Sequence, residues 1–330
     1  MKIYEGNLGE SRIPTLYEFE KLFCSRMTTG ESNHQRELKL KSLENGVTGE
    51  NMALDYIKRN VPDEWSIIRN LWVNYQGLCE FDLILVTEGN QIYVFEVKNY
   101  SGTFSYEEGE CKVNGRVITS NCVEQAKKAQ VYLQAICRKI SPDIRVTGVL
   151  VFISADNWIE INSEVKNLQI LMRNQFQIFL KDIVKNNKAT LGQRNMISSL
   201  LYACQQYNIE NPFTPQPLNP KEINQLRRGM CCDSCQSFDL VITHTVSCRH
   251  CGFIETKEKT VLRTIHEYGV LTHNQHLTMG ALLEFFNHQI HRNVLRRILT
   301  KYFDKVGNGR STNYLNKKIS FSVDDYPELK

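Results

Sequence analysis

The segment EFDLILVTEGNQIYVFEVKNYSG, residues 80–102, restricts the fold of this chain more than any other stretch. Two short runs rich in Ile, Val, Phe and Tyr flank Glu88, Gly89 and Asn90, the pattern of an antiparallel hairpin. With that loop Thr87 faces Gln91 and, counting back, Asp82 faces Glu96. Directly opposed residues project from one face with Cβ atoms ~5 Å apart, which two carboxylates tolerate only with a positive charge between them. Lys98 shares the face of Glu96 because strand side chains alternate, while Phe95 and Val97 turn the other way into a core.

A divalent cation answers this charge problem. Hard oxygen ligands such as Asp82 and Glu96 suit Mg²⁺ or Mn²⁺, and Lys98 is placed to orient an attacking water or to stabilise charge developing at phosphorus. Glu50 in TGENMALDYIKRN falls on the helical stripe of Ala53, Leu54 and Ile57, so its carboxylate is aimed at the sheet and needs a partner. Gln125, at the edge of the apolar stripe of a long helix from about Asn121 to Ile140, offers an amide to the same cleft. Each residue alone fits a solvated ion pair or a strand start. Their joint order favours a site.

More of a sheet surrounds these residues. SIIRNLWV precedes the hairpin, GTFSYEEGECKVNGRVI follows as a second alternating hairpin, and the nearly all-apolar RVTGVLVFIS suits a sheet centre. Helices are expected near 174–184 and 190–206. Residues 15 to about 42 read as a charged helical arm, with a second helix beginning near Thr48. Four prolines in NIENPFTPQPLNPKE place a linker after the helices, since proline supplies no ladder or helix hydrogen bond.

Five of the eleven cysteines crowd between 231 and 251. Cys232-x-x-Cys235 and Cys248-x-x-Cys251, twelve residues apart, are two knuckles whose four thiolates fit tetrahedral Zn²⁺. The strand-like FDLVITHTV between them points to a zinc ribbon in which the metal is a structural clip; Cys231, His244 and His250 are alternative ligands that the paired spacing disfavours. The remaining cysteines are scattered among apolar neighbours, which fits a reducing cytoplasm better than a disulfide framework.

Beyond the ribbon, VLRTIHEYGVLT, TMGALLEFFN and IHRNVLRRILTKYF read as three amphipathic helices followed by a glycine-bearing turn between strand-like residues, a winged-helix-like order. On the third helix Arg292, Asn293, Arg296, Arg297 and Lys301 form the polar complement of an apolar face, and Arg310 would sit on the wing, a set suited to nucleic acid. The net charge of +4 is mild, but its cations gather at this end. The longest apolar runs fall far short of a membrane span, and there is no nucleotide-binding glycine loop, so a membrane partner and an intrinsic ATPase motor are not expected.

GVTGE, EFDLIL, FEVKNYSG and CVEQAKKA together resemble the nuclease-related (NERD) domain, a branch of the PD-(D/E)xK nuclease superfamily, over roughly residues 43 to 155. The resemblance implies an α/β, restriction-endonuclease-like mixed sheet flanked by helices, with Glu50, Asp82, Glu96 and Lys98 as the active site and Gln125 as an auxiliary; Phe81 stands where the superfamily name has Pro. The expected organisation is then an N-terminal helical extension (1–42), the nuclease-like domain (43–206), a Pro-rich linker (207–229), the ribbon (230–256), the winged-helix-like domain (257–320) and a tail (321–330). A metal-dependent nuclease acting on DNA rather than RNA is the leading expectation, with a protein partner or a homo-oligomer left open. A non-enzymatic DNA-binding regulator with a degenerate nuclease-like domain is the competing one, and a thiol redox switch at the cysteines the third.

Overall fold

Alternating apolar residues form the strands of this protein and helical stripes cover them. The computed structural model describes residues 1–6, 14–27, 33–187, 196–275, 277–309, 312–316 and 326. In chain order the first elements are β1 (Lys2–Glu5), α1 (Leu16–Arg26), α2 (Asn33–Asn60), β2 (Ser66–Asn74), β3 (Leu78–Val86), β4 (Gln91–Lys98), β5 (Gly102–Glu107), β6 (Glu110–Val113), β7 (Arg116–Val117) and α3 (Cys122–Arg138). Next come β8 (Arg145–Phe152), β9 (Asn157–Ile161), β10 (Leu168–Met172), α4 (Arg173–Asn186), α5 (Met196–Gln205) and α6 (Pro220–Ile223). The last are β11 (Leu240–Ile242), β12 (Thr245–Cys248), β13 (Ile254–Thr256), α7 (Lys257–Thr272), α8 (Met279–Phe285), α9 (Arg292–Tyr302), β14 (Phe303–Val306) and β15 (Asn313–Asn316).

The chain divides into two units, one of Met1–Gly9 with Glu44–Pro212 and one of Glu10–Leu43 with Phe213–Lys330. The first is built on a six-stranded mixed sheet in the order β1-β2-β3-β4-β8-β10. Strands β2, β3 and β4 form an antiparallel meander, while β1, β8 and β10 run parallel to their neighbours. Ala53, Leu54 and Ile57 of α2 and Phe176, Leu180 and Ile183 of α4 cover one face with Leu83, Leu85, Phe95 and Val97. Ala129, Leu133 and Ile136 of α3 and Leu200 of α5 cover the other with Ile84, Val86, Ile92 and Val94. Each such aliphatic side chain, fully buried, contributes about 1.5–3 kcal/mol. A second, four-stranded sheet, β7-β6-β5-β9, continues from the end of β4.

The second unit has its own core, in which Phe19 of α1, Ile223, Leu226 and Met230 pack with Val261, Leu262 and Ile265 of α7 and Leu295, Ile298 and Leu299 of α9. Strands β11, β12 and β13 form a three-stranded antiparallel sheet, and β14 pairs with β15 behind the three helices. Among the described residues no helix is long and apolar enough to cross a membrane.

Three features differ from the sequence expectation. The segment 1–42 is not one extension: β1 joins the large sheet and α1, capped by Thr15 and Glu18, packs into the second core. Part of the expected linker is likewise core, since Ile223 and Leu226 are buried. Helix α2 does not start near Thr48 but runs unbroken through Gly46 and Gly49. A glycine in a helix interior costs about 1 kcal/mol relative to alanine, and here the burial of Ala53, Leu54 and Ile57 outweighs it.

Candidate functional site

The acidic residues gather where the large sheet splits. Pairing of β3 with β4 follows the expected register but ends at Leu83↔Phe95, one step short of Asp82 and Glu96. Beyond that point Leu78–Phe81 pair with β2 alone and Glu96–Lys98 with β8 alone. The β2–β3 ladder also skips one pair, between Arg69↔Leu83 and Leu71↔Phe81, where Asn70 takes φ 54° opposite Asp82.

Both strands change phase at this break. Ile68 and Ile84 face the α3 side on even numbers, whereas Leu71, Val73, Cys79 and Phe81 face it on odd ones. Simple alternation, which placed Asp82 and Glu96 on one face as a ladder pair, therefore fails here. The amide released from the ladder is not left unpaired, because Val97 N–H donates to Asp82 Oδ2 at 2.8 Å.

Lys98 Nζ lies 2.7 Å from Glu96 Oε1, and both side chains are largely buried. Burial alone would lower the Lys98 pKa, but Glu96 and Asp82 overcome it and hold the ammonium above its ordinary range. Asp82 is pushed well above the usual carboxylate range by burial and then by Glu96, Glu80 and Glu50. Glu50 is raised by burial, with Arg69 and Lys98 opposing and Glu96 and Glu5 reinforcing. Glu80 keeps an exposed surface, yet desolvation of its carboxyl, followed by Glu50 and Glu96, pushes it up to about 7. Several carboxylates thus share two cations, Lys98 and Arg69, and the surplus negative charge is what a bound cation would relieve.

Of the expected set, Glu50, Asp82, Glu96 and Lys98 come together electrostatically. Gln125 does not join them: it is exposed on α3, and its side chain makes no hydrogen bond among the described residues. Glu80 and Arg69 belong to the cluster and were missed by the sequence reading, although Glu80 lies two residues before Asp82 in the same strand.

Gly49 positions Glu50. A Cβ at Gly49 would sit 2.7 Å from Asn99 Cβ, and Asn99 Nδ2 donates to the carbonyl of Asn45 at 3.0 Å, which fastens α2 to the residue after Lys98. Gly49→Ala, worth about 1 kcal/mol in favour of an open helix, is therefore expected to lower the thermal midpoint. A raised midpoint in a melting experiment would show that the contact is not tight.

In the second unit the four knuckle cysteines already meet. Cys232 and Cys251 Sγ are 3.5 Å apart, Cys235 and Cys248 Sγ 3.6 Å, and all four lie within 4.8 Å of one another. Tetrahedral zinc with Zn–S bonds of ~2.3 Å places its sulfurs about 3.8 Å apart, so the cluster is compatible with structural zinc. His244 and His250 are exposed, and Cys231 turns instead to Arg263 and Glu267. Arg263 donates to Glu255 Oε1 at 2.5 Å, Glu267 Oε1 at 2.9 Å and the Cys231 carbonyl at 2.8 Å. Arg26 of α1, completely buried, pairs with Glu267 and donates to the carbonyls of Arg227 and Gly229. These ion pairs tie the cysteine-bearing sheet to α7 and α1.

On α9, Leu295, Ile298, Leu299 and Tyr302 face the core, and Arg292, Asn293, Arg296, Arg297 and Lys301 are exposed. Asn293, Arg296, Arg297 and Lys301 line an open depression with Thr300. Arg292, Arg296 and Arg297 make no ion pair among the described residues, whereas Lys301 bonds Glu258 Oε1 at 2.8 Å. Arg310 lies outside the described residues.

Neither the curated proteins nor the solved structures yield a match to the chain. Residues 45–153, about a third of its length, match the family described as Nuclease-related domain, which brings the split sheet and its acidic cluster under a nuclease-related function with nucleic acid as the general class of substrate.

Proposed function

We propose that the chain is a metal-dependent nuclease that hydrolyses phosphodiester bonds in nucleic acid, DNA rather than RNA. The observation that carries this reading is the convergence of Glu50, Glu80, Asp82 and Glu96 on Lys98 at the break in the sheet. Asp82 and Glu96 are the residues to hold Mg²⁺ or Mn²⁺, with Glu50 assisting. Such an ion supplies Lewis-acid stabilisation of a phosphate oxygen and a more acidic bound water.

The protein's own groups divide the remaining work. Lys98, held protonated by its carboxylate neighbours, acts as a fixed positive charge toward the phosphate and not as a proton acceptor. Glu80, pushed up to about 7, has the proton affinity suited to accept a proton from water or return one to the leaving oxygen. In the second unit, α7, α8, α9 and the β14–β15 hairpin would act as a winged-helix-like module that holds DNA through Arg292, Asn293, Arg296, Arg297 and Lys301, and the four cysteines, with zinc, would support it structurally.

The test is cleavage of plasmid, linear duplex, single-stranded DNA and RNA with Mg²⁺ or Mn²⁺ by wild type and Glu96→Ala. Metal-dependent cutting reduced by about 10²-fold or more in the variant is the expected result, from the loss of a transition-state contact of several kcal/mol. Equal cutting by both proteins would sink the proposed site. Folded, zinc-loaded protein that binds DNA and cuts nothing would favour a non-enzymatic regulator, a reading to which the exposed arginines of α9 also lend support.

A further inference from the structure

The chain has three tryptophans. Trp65 and Trp72 are buried, but Trp158 on β9 is 61% exposed. A side chain this large and this exposed on a regular strand gives the core little, so its position on the fold is informative.

That position is set by the acidic site. Lys98 pairs with Phe152 at the end of β4 and β8, and Ile153 N–H donates to the Lys98 carbonyl at 2.9 Å. Both chains then leave the large sheet together and rejoin where Gly102 N–H donates to the Asp156 carbonyl at 2.6 Å. Trp158 is the next residue but one and pairs with Thr103. Thr103 is five residues past Lys98, at most about 17 Å along the chain, and Trp158 lies one strand spacing of about 5 Å beyond it, a span of a few nucleotides of an extended strand.

The surroundings favour a flat, uncharged partner. Phe104, Tyr106 and Ile159 turn into the core. By alternation Thr103, Ser105, Trp158 and Glu160 share the outer face, and Lys112, opposite Ser105, is paired with Glu110. A face with hydroxyls, one exposed indole, a lysine already paired with Glu110 and the further acid Glu160 is poorly suited to grip phosphates, and the indole is well suited to stack on the face of a base.

We propose that Trp158 is a stacking platform for an unpaired nucleobase of the strand held at the acidic site, so that the substrate is single-stranded or locally unwound there. The proposal rests on the nuclease reading and deepens it. Bases in an intact duplex are stacked on one another, and reaching Trp158 would require unpairing. An unpaired base meets no such barrier. Stacking of a base on an aromatic side chain changes affinity roughly 5- to 150-fold and tolerates any base.

The experiment uses full-length, zinc-loaded protein carrying Glu96→Gln to suppress cutting, titrated with oligothymidylate and with a duplex of equal length. Tryptophan emission is expected to be quenched by the oligothymidylate, and the quench should disappear in Trp158→Phe, which keeps a stacking ring. Trp158→Ala should weaken single-strand binding about 5- to 150-fold and leave duplex binding and the melting midpoint unchanged. No quench, equal weakening for both ligands, or a dimer that dissociates in Trp158→Ala would overturn the proposal. In the Glu96-intact protein, cutting of single strands untouched by Trp158→Ala would sink Trp158 and leave the nuclease standing. Quenching by a protein that cuts nothing would do the reverse.

Discussion

Asp82→Asn is expected to reduce metal-dependent cleavage sharply and, in the same protein, to raise the thermal midpoint of the metal-free form. Burial first, then Glu96, Glu80 and Glu50, hold the Asp82 carboxyl well above its ordinary range. A carboxyl whose folded pKa exceeds its unfolded value destabilises the fold: between the two values the folded state retains a proton that the unfolded chain has released. The penalty is absent below the unfolded value of about 4, grows as pH rises toward the folded pKa, and is complete above it. Asparagine carries no such charge, and its carbonyl can still accept from Val97 N–H as Asp82 Oδ2 does.

The gain should appear at neutral pH and vanish near pH 4, each 1 kcal/mol moving the midpoint roughly 2–4 °C for a unit of this size. Cleavage should fall by about 10²-fold or more, because a proposed ligand to the ion is lost. The same linkage makes Mg²⁺ affinity rise with pH through the region near 7 where Glu80 titrates. Melting curves at two pH values, with cleavage rates, check all of this. A lower midpoint with unchanged cleavage would make Asp82 a structural residue.

Removing zinc should unfold the second unit and spare the first. The sheet that carries the cysteines has strands of only three or four residues and little apolar area of its own. Structural zinc sites bind with about 10–16 kcal/mol of apparent free energy, comparable to the ~5–15 kcal/mol that stabilises a whole domain. Loss of the ribbon would also strip Glu255 and the Cys231 carbonyl from Arg263. A buried charge that loses its partner destabilises by about 3–5 kcal/mol, and this damage spreads into α7. All three tryptophans lie in the first unit. A strong chelator, or Cys235→Ser, should therefore reduce the helical circular dichroism signal and leave tryptophan emission nearly constant. Retention of the full helical signal after zinc is lost would show that the ion does not hold this unit.

The parts of the site that sequence conveys are those set by local rules. The loop Glu88–Asn90 sets the β3–β4 register, so Leu83 faces Phe95 as counting predicts. The spacing of the cysteines likewise brings their four sulfurs together. What local rules miss is the break itself. Asn70 in the left-handed region shifts the phase of β2 and β3 at once, and no periodicity along either strand announces it. Glu80 lies in the same run, two residues before Asp82, but the hairpin count that pairs Asp82 with Glu96 gives Glu80 no partner and so no sign of the cluster. The helix start expected near Thr48 falls inside α2, and the approach of Asn99 that explains Gly49 is a contact across half a hundred residues of sequence. For the same reason β1 and α1, whose partners are distant in sequence, could not be assigned to different units from the sequence alone.

The way the fold uses its own carboxylate oxygens bears on which ion the proposed site would select. Asp82 commits Oδ2 to the Val97 amide, and Glu96 commits Oε1 to Lys98. Each acid has one oxygen already engaged and one that no described residue engages, which favours contact through a single oxygen over bidentate chelation. Calcium, which takes six to eight oxygens and often a bidentate carboxylate, is poorly served by such a pair, whereas magnesium and ions of its size keep most of their water and need only one or two carboxylate oxygens. The backbone amide of one strand and the ammonium of the next would thereby act as a filter on ionic radius, discriminating among cations without touching any of them.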